Sequence, residues 1–346
     1  MRSTTGWQAD GPTKLHEVPI SRRALRRDDI AMRVDFCGVC HTDLHAVRGH
    51  NGEDVLVPGH EFTGVVIETG PDVTAFQVGD SVAVGNIVDS CGVCTMCTAG
   101  QENFCREFPT LTYGGTDRHD GTTTLGGFSR EYVVRDRFVH PLPSGLDPAA
   151  AAPLLCAGIT VWEPLRALGV GPGKRVAVAG LGGLGHLAVK FAAALGAEVS
   201  VVSRSADRAS DAIRLGARDV VVSTDPDSAA ASRDRFDVLI DTIPVAHDLA
   251  PYLRLVAVDG TLSQVGYLGA VTVETMDLLV GRKKLSSGGS GGLPATTAML
   301  EFCAAHGIVA DVETLPSARV TEALDRLERG DVRYRFVLDL SDLDRK

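Results

Sequence analysis

Apolar and polar positions change their pattern about halfway along the chain. Over residues 1–150, short apolar runs such as VVIET and SVAV are bounded by the turn-forming stretches GPD, VGD and PLPSG. Short apolar runs between turn residues are typical of strands rather than helices. The sequence therefore predicts a β-rich first part with many loops.

From about residue 157 the chain alternates between predicted strands and helices. KRVAVAG and AEVSVVS are typical of buried strands, and HLAVKFAAALG between them is typical of a helix that ends at Gly196. A strand, helix and strand within about 30 residues predict a right-handed parallel crossover. DVVVS, FDVLIDTI and TLSQVG continue as strands, with helices predicted over SADRASDAIRLG and AHDLAPYLRLV. This order predicts a doubly wound parallel sheet.

The two patterns divide the chain into domains. We expect an α/β protein with a β-rich domain over residues 1–155 and a doubly wound domain over 156–294. Residues 295–346 return to the first domain, with a helix over TAMLEFCAAHG and a closing strand over RFVLDL.

Composition and charge exclude several classes of protein. The 346 residues, of which 44% are hydrophobic, can form two domains with substantial cores. Thirty-four Lys and Arg against 44 Asp and Glu give a net charge of −10, which disfavours a nucleic-acid partner. The N-terminal residues lack the apolar core of a secretory signal, and no run reaches the roughly 18 to 20 apolar residues of a membrane span. We expect a soluble, cytoplasmic protein.

The eight cysteines pose a question of metal ligands. In a reducing compartment, closely spaced cysteines favour metal over disulfides. In CGVCTMCTAGQENFC, residues 91–105, the pattern C-x2-C-x2-C-x7-C is formed by Cys91, Cys94, Cys97 and Cys105. Four thiolates can close around a tetrahedral zinc ion and leave no open position, so we expect a structural zinc. A redox C-x-x-C pair and an iron–sulfur cluster are the alternatives.

Three separated segments carry a second candidate set of metal ligands. Cys40 lies in CGVCHTDLH, His60 in VPGHEFTG and Cys156 in PLLCAGIT. Two cysteines and one histidine that leave a coordination position open are typical of catalytic zinc. Taken singly, Cys156 is more typical of a buried packing residue and His60 of a loop histidine.

A glycine-rich turn joins the first strand and helix of the doubly wound part. Gly180, Gly182 and Gly185 form G-x-G-x-x-G, in a turn that also contains Gly183 and Leu184. Between a strand and a helix, this turn is typical of binding the pyrophosphate of a nicotinamide dinucleotide. Residues 286–294, SSGGSGGLP, are either a flexible linker or, as the flanking apolar segments favour, a tight loop near this cofactor.

The end of the second strand favours NADP(H) over NAD(H). NAD-binding domains usually carry Asp or Glu there, whereas AEVSVVS ends in Ser203 and is followed by Arg204 and Arg208. A guanidinium group can bind the 2′-phosphate that a carboxylate would repel. The alternative is two solvated arginines, balanced by Asp207.

These motifs together resemble the zinc-dependent medium-chain alcohol dehydrogenases, and among them the cinnamyl alcohol dehydrogenase type. GVCHTDLH, VPGHE, the four-cysteine segment, TLGGFSREYVV, LLCAGITVW and GLGGLGHLAVKFA occur in the family's order over nearly the whole chain. The resemblance implies a GroES-like catalytic domain, a Rossmann domain, and hydride transfer between NADP(H) and a primary alcohol or aldehyde. It also implies a homodimer, with a tetramer as the alternative.

The resemblance implies a role for each residue around the catalytic zinc. Cys40, His60 and Cys156 correspond to the ligands. Asp43 corresponds to the residue that orients the histidine, and Glu61 to a carboxylate behind the metal. Cys37 is implied to be a packing residue, and Cys303, which lies on a predicted helix, is also expected to pack in the core.

It also implies a proton path and two further cofactor contacts. Thr42 corresponds to the hydroxyl that exchanges a proton with the substrate oxygen, and His45 to the imidazole that passes it to solvent. A capping threonine and a surface histidine are the alternatives. His41 and Arg335 correspond to residues that contact the cofactor pyrophosphate.

The sequence departs from the family around the substrate channel. Members often have an aromatic residue just before the four-cysteine segment, whereas GNIVDSC has Asn86. Residues 46–58 form a shorter segment that lacks the usual tryptophan. Fewer aromatic walls and an added amide predict a broad range of aldehydes and primary alcohols, including medium apolar and aromatic aldehydes.

Two other functions stay open at this point. A related NADPH-dependent enzyme that reduces an iminium or a conjugated alkene would not need the Thr42 and His45 relay. A non-catalytic nucleotide-sensing zinc protein would need neither the relay nor an open metal site. Two zinc ions per chain, together with metal-dependent aldehyde reduction, would distinguish the dehydrogenase from both.

Overall fold

The computed structural model describes residues 1–344. The chain divides into two units, one formed by Met1–Cys156 with the segment that begins at Gly291, and the other by Ala157–Ser290. Cys156 and residues 291–294 therefore lie in the first unit, whereas the boundaries expected from the sequence assign them to the second.

Strands and helices occur in both units. Over residues 1–344 the strands are β1 (Arg2–Ala9), β2 (Leu15–Arg22), β3 (Asp29–Val39), β4 (Phe62–Thr69), β5 (Ser81–Val84), β6 (Ile87–Asp89), β7 (Thr110–Leu111), β8 (Glu131–Arg135), β9 (His140–Pro141), β10 (Arg175–Ala179), β11 (Glu198–Ser203), β12 (Asp219–Val222), β13 (Phe236–Asp241), β14 (Val256–Gln264), β15 (Lys284–Ser287), β16 (Val312–Pro316) and β17 (Arg335–Asp339). The α-helices are α1 (His41–Arg48), α2 (Thr95–Thr98), α3 (Pro148–Ala151), α4 (Ala157–Ala167), α5 (Gly185–Ala194), α6 (Ala209–Leu215), α7 (Pro226–Ala231), α8 (Ala250–Leu253), α9 (Thr275–Leu279), α10 (Leu293–His306) and α11 (Val320–Glu328). None of the helices in the described part combines the length and the apolar composition that crossing a bilayer requires.

The first unit is built on a seven-stranded, mostly antiparallel sheet. Its order is β16-β17-β3-β4-β5-β9, with β8 also paired to β3. Two further ladders join β1 to β2 and β6 to β7. The apolar runs of these strands supply a core that includes Met32, Phe62, Phe128 and Phe336, all fully buried. The β-rich first domain predicted from the sequence is confirmed.

Three neighbouring strands of this sheet bring polar residues to one edge. β3 ends directly before Cys40, β4 begins directly after Glu61, and β17 begins at Arg335. Both neighbours pair antiparallel with β3. The C-terminal end of β3 and the N-terminal ends of β4 and β17 therefore lie at the same edge. The fold brings together three residues that are distant in sequence.

The second unit is a parallel sheet of six strands in the order β12-β11-β10-β13-β14-β15. Counted from β10, this is the order 3-2-1-4-5-6 of a Rossmann domain, which binds dinucleotides where the strand order reverses. Here that point lies between β10 and β13, at the carboxyl ends of the strands. The predicted doubly wound sheet is confirmed.

The structure differs from the predicted elements in one helix and one loop. The helix expected over AHDLAPYLRLV is limited to α8, because the apolar residues that follow α8 enter the buried strand β14 at Val256. Residues 286–294 are only partly a loop, since the first two belong to β15 and the last two begin α10. Periodicity alone does not separate short buried strands from helix ends.

Candidate metal centres and cofactor site

Cys40 lies at the N-terminus of α1. Its backbone is extended, with φ −114° and ψ 159°. The backbone N–H of Cys40 donates to Asp43 Oδ2 at 2.9 Å, in the way that a side chain of the first helical turn closes a helix N-terminus. Asp43 is fully buried. The helix cap therefore fixes both residues.

The buried carboxylate of Asp43 also positions His60. Its Oδ1 accepts from the backbone N–H of Gly59 at 2.9 Å and lies 3.0 Å from Nδ1 of His60. A carboxylate at Nδ1 keeps the proton on that nitrogen and leaves the lone pair of Nε2 available to a metal. The predicted orienting residue and the predicted ligand are thus in contact.

Nε2 of His60 faces the thiols of Cys156 and Cys40. Nε2 lies 3.2 Å from Sγ of Cys156, and the two Sγ atoms are 3.8 Å apart. Two thiolates that bind one tetrahedral zinc ion at about 2.3 Å are themselves about 3.8 Å apart. All three ligand atoms lie within 4.8 Å of one another. The residues therefore fit a zinc ion with one open position.

Local interactions favour a thiolate at this centre. The hydrogen bond with Cys156 and the positive charge of Arg335 hold the pKa of Cys40 well below that of an ordinary thiol, against the effect of burial. The thiolate is the form that binds metal. The same hydrogen bond, together with burial, raises the pKa of Cys156, so these interactions favour the thiolate at Cys40 alone.

The exposed face of α1 carries the residues expected to move a proton. The Thr42 hydroxyl oxygen lies 3.7 Å from Sγ of Cys40, and Thr42 is exposed. His45 is also exposed, and its ring centroid is 6.2 Å from that of His41. In residues 1–344 no hydrogen bond joins Thr42 to His45. The structure places the hydroxyl beside a predicted ligand and the imidazole at the surface.

A buried ion pair accompanies the predicted ligands. Arg335 and Glu61 are both buried and form a salt bridge. Burial raises the pKa of Glu61 to about 8, and the charge of Arg335 opposes that rise. A side chain at Gly38 would occupy the same space, because its Cβ would lie 2.4 Å from Oε1 of Glu61. Burial lowers the pKa of His41, and the positive charge of Arg335 lowers it further. Arg335 therefore acts on His41, the other residue predicted to contact the cofactor pyrophosphate.

The four cysteines of residues 91–105 converge on one point. Their sulfur atoms lie within 4.8 Å of one another. The Sγ of Cys97 is 3.8 Å from that of Cys91 and 3.5 Å from that of Cys94. The backbone N–H of Cys91 donates to Sγ of Cys105 at 3.5 Å, and hydrogen bonds from Arg106 and Cys97 backbone N–H groups lower the pKa of Cys94 to about 6. This arrangement fits a closed zinc site of four thiolates.

Glu102 joins the four-cysteine lobe to the rest of its unit. Its side chain is buried. One oxygen accepts from the Arg137 guanidinium at 2.9 Å, and the other accepts from the backbone N–H of Leu293 at 3.0 Å. Sequence reasoning missed this residue, because its partners are 35 and 191 positions away and no local pattern marks them.

The glycine-rich turn of the second unit has the backbone that a dinucleotide needs. Gly180 has a φ of +87°, and a Cβ on Gly185 would lie 2.1 Å from the Gly180 carbonyl oxygen. At Gly182 no atom lies within 4 Å of the Cβ position, which leaves the backbone open to a ligand. The turn continues through Gly183 and Leu184 into α5, whose N-terminus favours a phosphate group.

The end of β11 carries the residues predicted to select NADP(H). Ser203 ends the strand, Arg204 is exposed and Arg208 is partly exposed. Asp207 accepts from the Ser205 hydroxyl at 3.1 Å. Within the described chain no ion pair joins Arg204 or Arg208 to a carboxylate, so both guanidinium groups can bind an anionic ligand.

Tyr113 contacts the metal centre, although no sequence motif marks it. Its ring centroid lies 5.8 Å from that of His60, with the ring planes tilted by 58°. The pairing of β6 with β7 brings it there, because the backbone N–H of Thr112 donates to the Asn86 carbonyl oxygen at 3.1 Å. The predicted substrate-pocket residue Asn86 is partly buried at the end of the same ladder.

Comparison with known proteins establishes the family. An alcohol dehydrogenase GroES-like domain matches residues 26–144, and a zinc-binding dehydrogenase domain matches residues 183–305. Over 333 residues, 95% of both chains, the sequence is 44% identical to a probable formaldehyde dehydrogenase AdhA of Bacillus subtilis. The chain belongs to the zinc-binding dehydrogenase family. This zinc-binding dehydrogenase is also 42% identical, over 99% of both chains, to NADP-dependent alcohol dehydrogenase C 1 of Mycolicibacterium smegmatis.

A solved structure agrees with these sequence relatives. The cinnamyl alcohol dehydrogenase SbCAD4 of Sorghum bicolor matches this zinc-binding dehydrogenase with a TM-score of 0.94 and 41% identity over 98% of both chains. The resemblance to the cinnamyl alcohol dehydrogenase type and the predicted pair of GroES-like and Rossmann domains are confirmed. The chain is an oxidoreductase, and its relatives favour neither the iminium or alkene reductase nor the nucleotide-sensing protein.

Proposed function

We propose that this zinc-binding dehydrogenase transfers hydride between NADP(H) and a primary alcohol or aldehyde, with a broad substrate range. The observation that carries the proposal is the set of Cys40, His60 and Cys156, which can hold zinc and leave one position open. The four-cysteine set would hold a second, structural zinc. The relatives named as NADP-dependent alcohol dehydrogenase and cinnamyl alcohol dehydrogenase support the same chemistry.

In the proposed reaction, the residues of this chain hold the metal and move the proton. When bound, the catalytic zinc supplies a Lewis acid that polarises the substrate oxygen. The Thr42 hydroxyl, beside Cys40, exchanges a proton with that oxygen. The exposed imidazole of His45 passes the proton to or from solvent. Arg335 holds the carboxylate of Glu61 beside the ligands.

An aldehyde panel tests this function and its substrate range. We expect the purified protein to oxidise NADPH with linear, branched and aromatic aldehydes. Asn86→Trp restores an aromatic wall and should raise kcat/KM for planar aromatic aldehydes about 2- to 10-fold, the amount that one aromatic contact supplies. Gln77→Trp, at an exposed position between β4 and β5, serves as the control.

Two results of the panel would contradict these proposals. Absence of turnover of every aldehyde with either nucleotide would overturn the function. An equal change for all aldehydes in Asn86→Trp would overturn the place of Asn86 in the substrate pocket.

We propose that Arg204 and Arg208 bind the 2′-phosphate of NADP(H). A charged hydrogen bond contributes about 1.5 to 3 kcal/mol, so Arg204→Asp should raise KM for NADPH about 10- to 100-fold. KM for NADH should change little, because NADH has no 2′-phosphate. Arg233→Asp, another exposed arginine of the second unit, is the matched control. A wild-type preference for NADH would contradict this proposal.

We propose that His41 and Arg335 bind the cofactor pyrophosphate. The Nε of Arg335 is buried and has no hydrogen-bond partner in the described chain, so this group has a donor available. The side chain of His41 is partly buried, and the charge of Arg335 reaches it. Measurement of KM for each nucleotide checks this proposal. His41→Ala should raise KM for NADPH and for NADH alike, because both contain the pyrophosphate.

We propose a homodimer formed through the sheets of the second unit. β15 is the last strand of its sheet among the described residues and leaves one edge unpaired. Exposed apolar side chains precede it at Met276, Leu279 and Val280. Sedimentation equilibrium should give twice the chain mass, and Leu279→Lys should shift the distribution towards the monomer. A wild-type monomer or tetramer would contradict the dimer.

We propose a cytoplasmic location. None of the eight cysteines, all within the described residues, forms a disulfide. Six of them belong to candidate metal sites, four in one set and two in the other. A reducing compartment keeps such thiolates available to metal. Fractionation of the source cells should recover the activity with the cytosol, and recovery from an oxidising compartment would contradict the proposal.

A further inference from the structure

A buried carboxylate lies where the strand order of the second unit reverses. Asp241 is the last residue of β13, and its side chain is fully buried. β13 and β10 flank the point of reversal, where Rossmann sheets bind dinucleotides at the carboxyl ends of their strands. A buried carboxylate is costly unless a cation and hydrogen bonds compensate it. The reaction proposed above does not use Asp241.

His247 supplies the compensating group. Its Nε2 lies 2.9 Å from Oδ2 of Asp241, and its Nδ1 lies 2.8 Å from the Val245 carbonyl oxygen. Both ring nitrogens therefore face acceptors, and only the doubly protonated imidazolium donates to both. The ring of Tyr252 meets the imidazole nearly at a right angle, with the two centroids 5.3 Å apart. The His247 side chain is 16% exposed, so these contacts enclose most of it.

The contacts of these two residues close the loop between β13 and α8. Oδ1 of Asp241 accepts from the backbone N–H of Ile243 at 3.1 Å, while Oδ2 faces His247. The contact between Nδ1 of His247 and Val245 closes the far side of the loop. Residues 244–246, which lie between, are exposed. The shape of the loop therefore depends on the Asp241 carboxylate and on the imidazole that holds it.

The start of this loop contacts the glycine-rich turn. The Thr242 hydroxyl donates to the Ala179 carbonyl oxygen at 2.7 Å, and the Thr242 backbone N–H donates to the same oxygen at 2.9 Å. A Cβ on Gly180 or on Gly185 would lie 3.0 Å from the Thr242 hydroxyl oxygen. A shift of Asp241 is thus transmitted by the next residue, Thr242, to the backbone that approaches the pyrophosphate.

We propose that His247 is a positioning residue of the cofactor site, whose ring nitrogens hold Asp241 and the loop after β13 and so fix Thr242 against the glycine-rich turn. This inference rests on the proposed binding of NADP(H) by the second unit. NADPH and NADH share the pyrophosphate that this turn binds, so His247 acts equally on both nucleotides. Arg204, by contrast, is proposed to act on NADPH alone.

Direct binding of nucleotide tests the role of His247. Isothermal titration calorimetry of the zinc-loaded enzyme, without aldehyde, gives Kd for NADPH and for NADH. His247→Phe keeps a ring against Tyr252 and removes both N–H groups. We expect it to weaken the binding of both nucleotides about 10-fold, an effect of the size that a hydrogen-bond network transmits to a neighbouring site. kcat at saturating NADPH should stay at the wild-type value, because the proposed role concerns binding and not the hydride step.

Two amide variants separate the two contacts of His247. His247→Gln places an amide nitrogen near the position of Nε2 and keeps a donor for Asp241, whereas His247→Asn places one near Nδ1 and keeps a donor for Val245. We expect the Gln variant to recover most of the nucleotide affinity and the Asn variant to recover little. Equal affinity in the two variants would overturn the proposal, because the contact with Asp241 would then not be the decisive one. This comparison applies even where His247→Phe does not fold.

Lys283→Met is the matched control for loss of a buried cation. Lys283 also lies in the second unit, and its Nζ donates to Oδ1 of Asp234 at 2.9 Å and to the Leu253 carbonyl oxygen at 2.7 Å. Asp234 precedes β13, so this pair lies at the opposite end of the strand from Asp241. The control should lower the unfolding temperature and leave both Kd values unchanged. A loss of affinity equal to that of His247→Phe would overturn the proposal in favour of a general loss of stability.

Three further results would overturn the inference, and they differ in what else they contradict. Wild-type Kd values for both nucleotides in His247→Phe would leave the proposed function intact. Weaker binding of NADPH alone would assign His247 to the 2′-phosphate, also without harm to the proposed function. A wild-type enzyme that binds neither nucleotide would overturn the proposed function together with this inference.

Discussion

Cys156→Ala is expected to lower kcat/KM for aldehyde reduction about 1,000-fold or more, since a Lewis acid supplies several kcal/mol to this reaction. Cys156 supplies one of the two sulfur atoms, and its Sγ lies 3.8 Å from that of Cys40 and 3.2 Å from Nε2 of His60. Without it, two ligands remain and the catalytic zinc is lost. Zinc analysis should find one ion per chain in place of two, the number of candidate sites.

Cys37→Ala is the matched control for this substitution. Cys37 is fully buried three residues before Cys40, and its sulfur belongs to neither candidate metal set. The control should retain both zinc ions and measurable activity. A Cys156→Ala protein with two zinc ions and wild-type activity would remove Cys156 from the catalytic site.

Cys97→Ser is expected to lower the free energy of unfolding by at least about 3 kcal/mol, because the zinc that binds a closed site contributes directly to folding. Cys97 is the most enclosed of the four cysteines, at 2% exposure, and its sulfur contacts those of Cys91 and Cys94. Glu102 joins the lobe to the remainder of its unit. Loss of the metal should therefore destabilise more than the lobe itself. Urea unfolding and zinc analysis measure the two effects.

Cys303→Ser controls for the placement of a hydroxyl in a buried thiol position. Cys303 is fully buried on α10 and belongs to neither candidate metal set. Cys303→Ser should lower the free energy of unfolding by about 1 to 3 kcal/mol, the range for a buried polar group, and should leave both zinc ions bound. If Cys97→Ser kept two zinc ions and unfolded like the Cys303 variant, the lobe would not be a zinc site.

The sequence predicts best what lies close together along the chain. The four cysteines occur within fifteen residues, and a single run holds the strand, the glycine turn and the helix of the cofactor site. In both places, spacing alone fixes the local geometry. The separated set of Cys40, His60 and Cys156 is different, because spacing gives no contact between them. Only the family resemblance joined them before the structure did.

What the sequence could not predict depends on pairings between distant strands. Glu61 and Arg335 are 274 positions apart, and they meet because β4 and β17 both flank β3. Tyr113 reaches His60 through the pairing of β6 with β7, which no motif announces. Helix α8 is shorter than predicted for a related reason, because apolar residues that follow it belong to strand β14 of the parallel sheet. Tertiary contacts decide all three cases.

The central proposal is that hydride transfer by this chain depends on the metal held by Cys40, His60 and Cys156. The most direct test measures NADPH oxidation with an aldehyde while a chelator removes zinc from the holoenzyme, with zinc per chain counted at each stage. We predict that activity falls as the count drops from two ions to one, and that added zinc restores both. Full activity in the protein with one zinc ion would contradict the proposal.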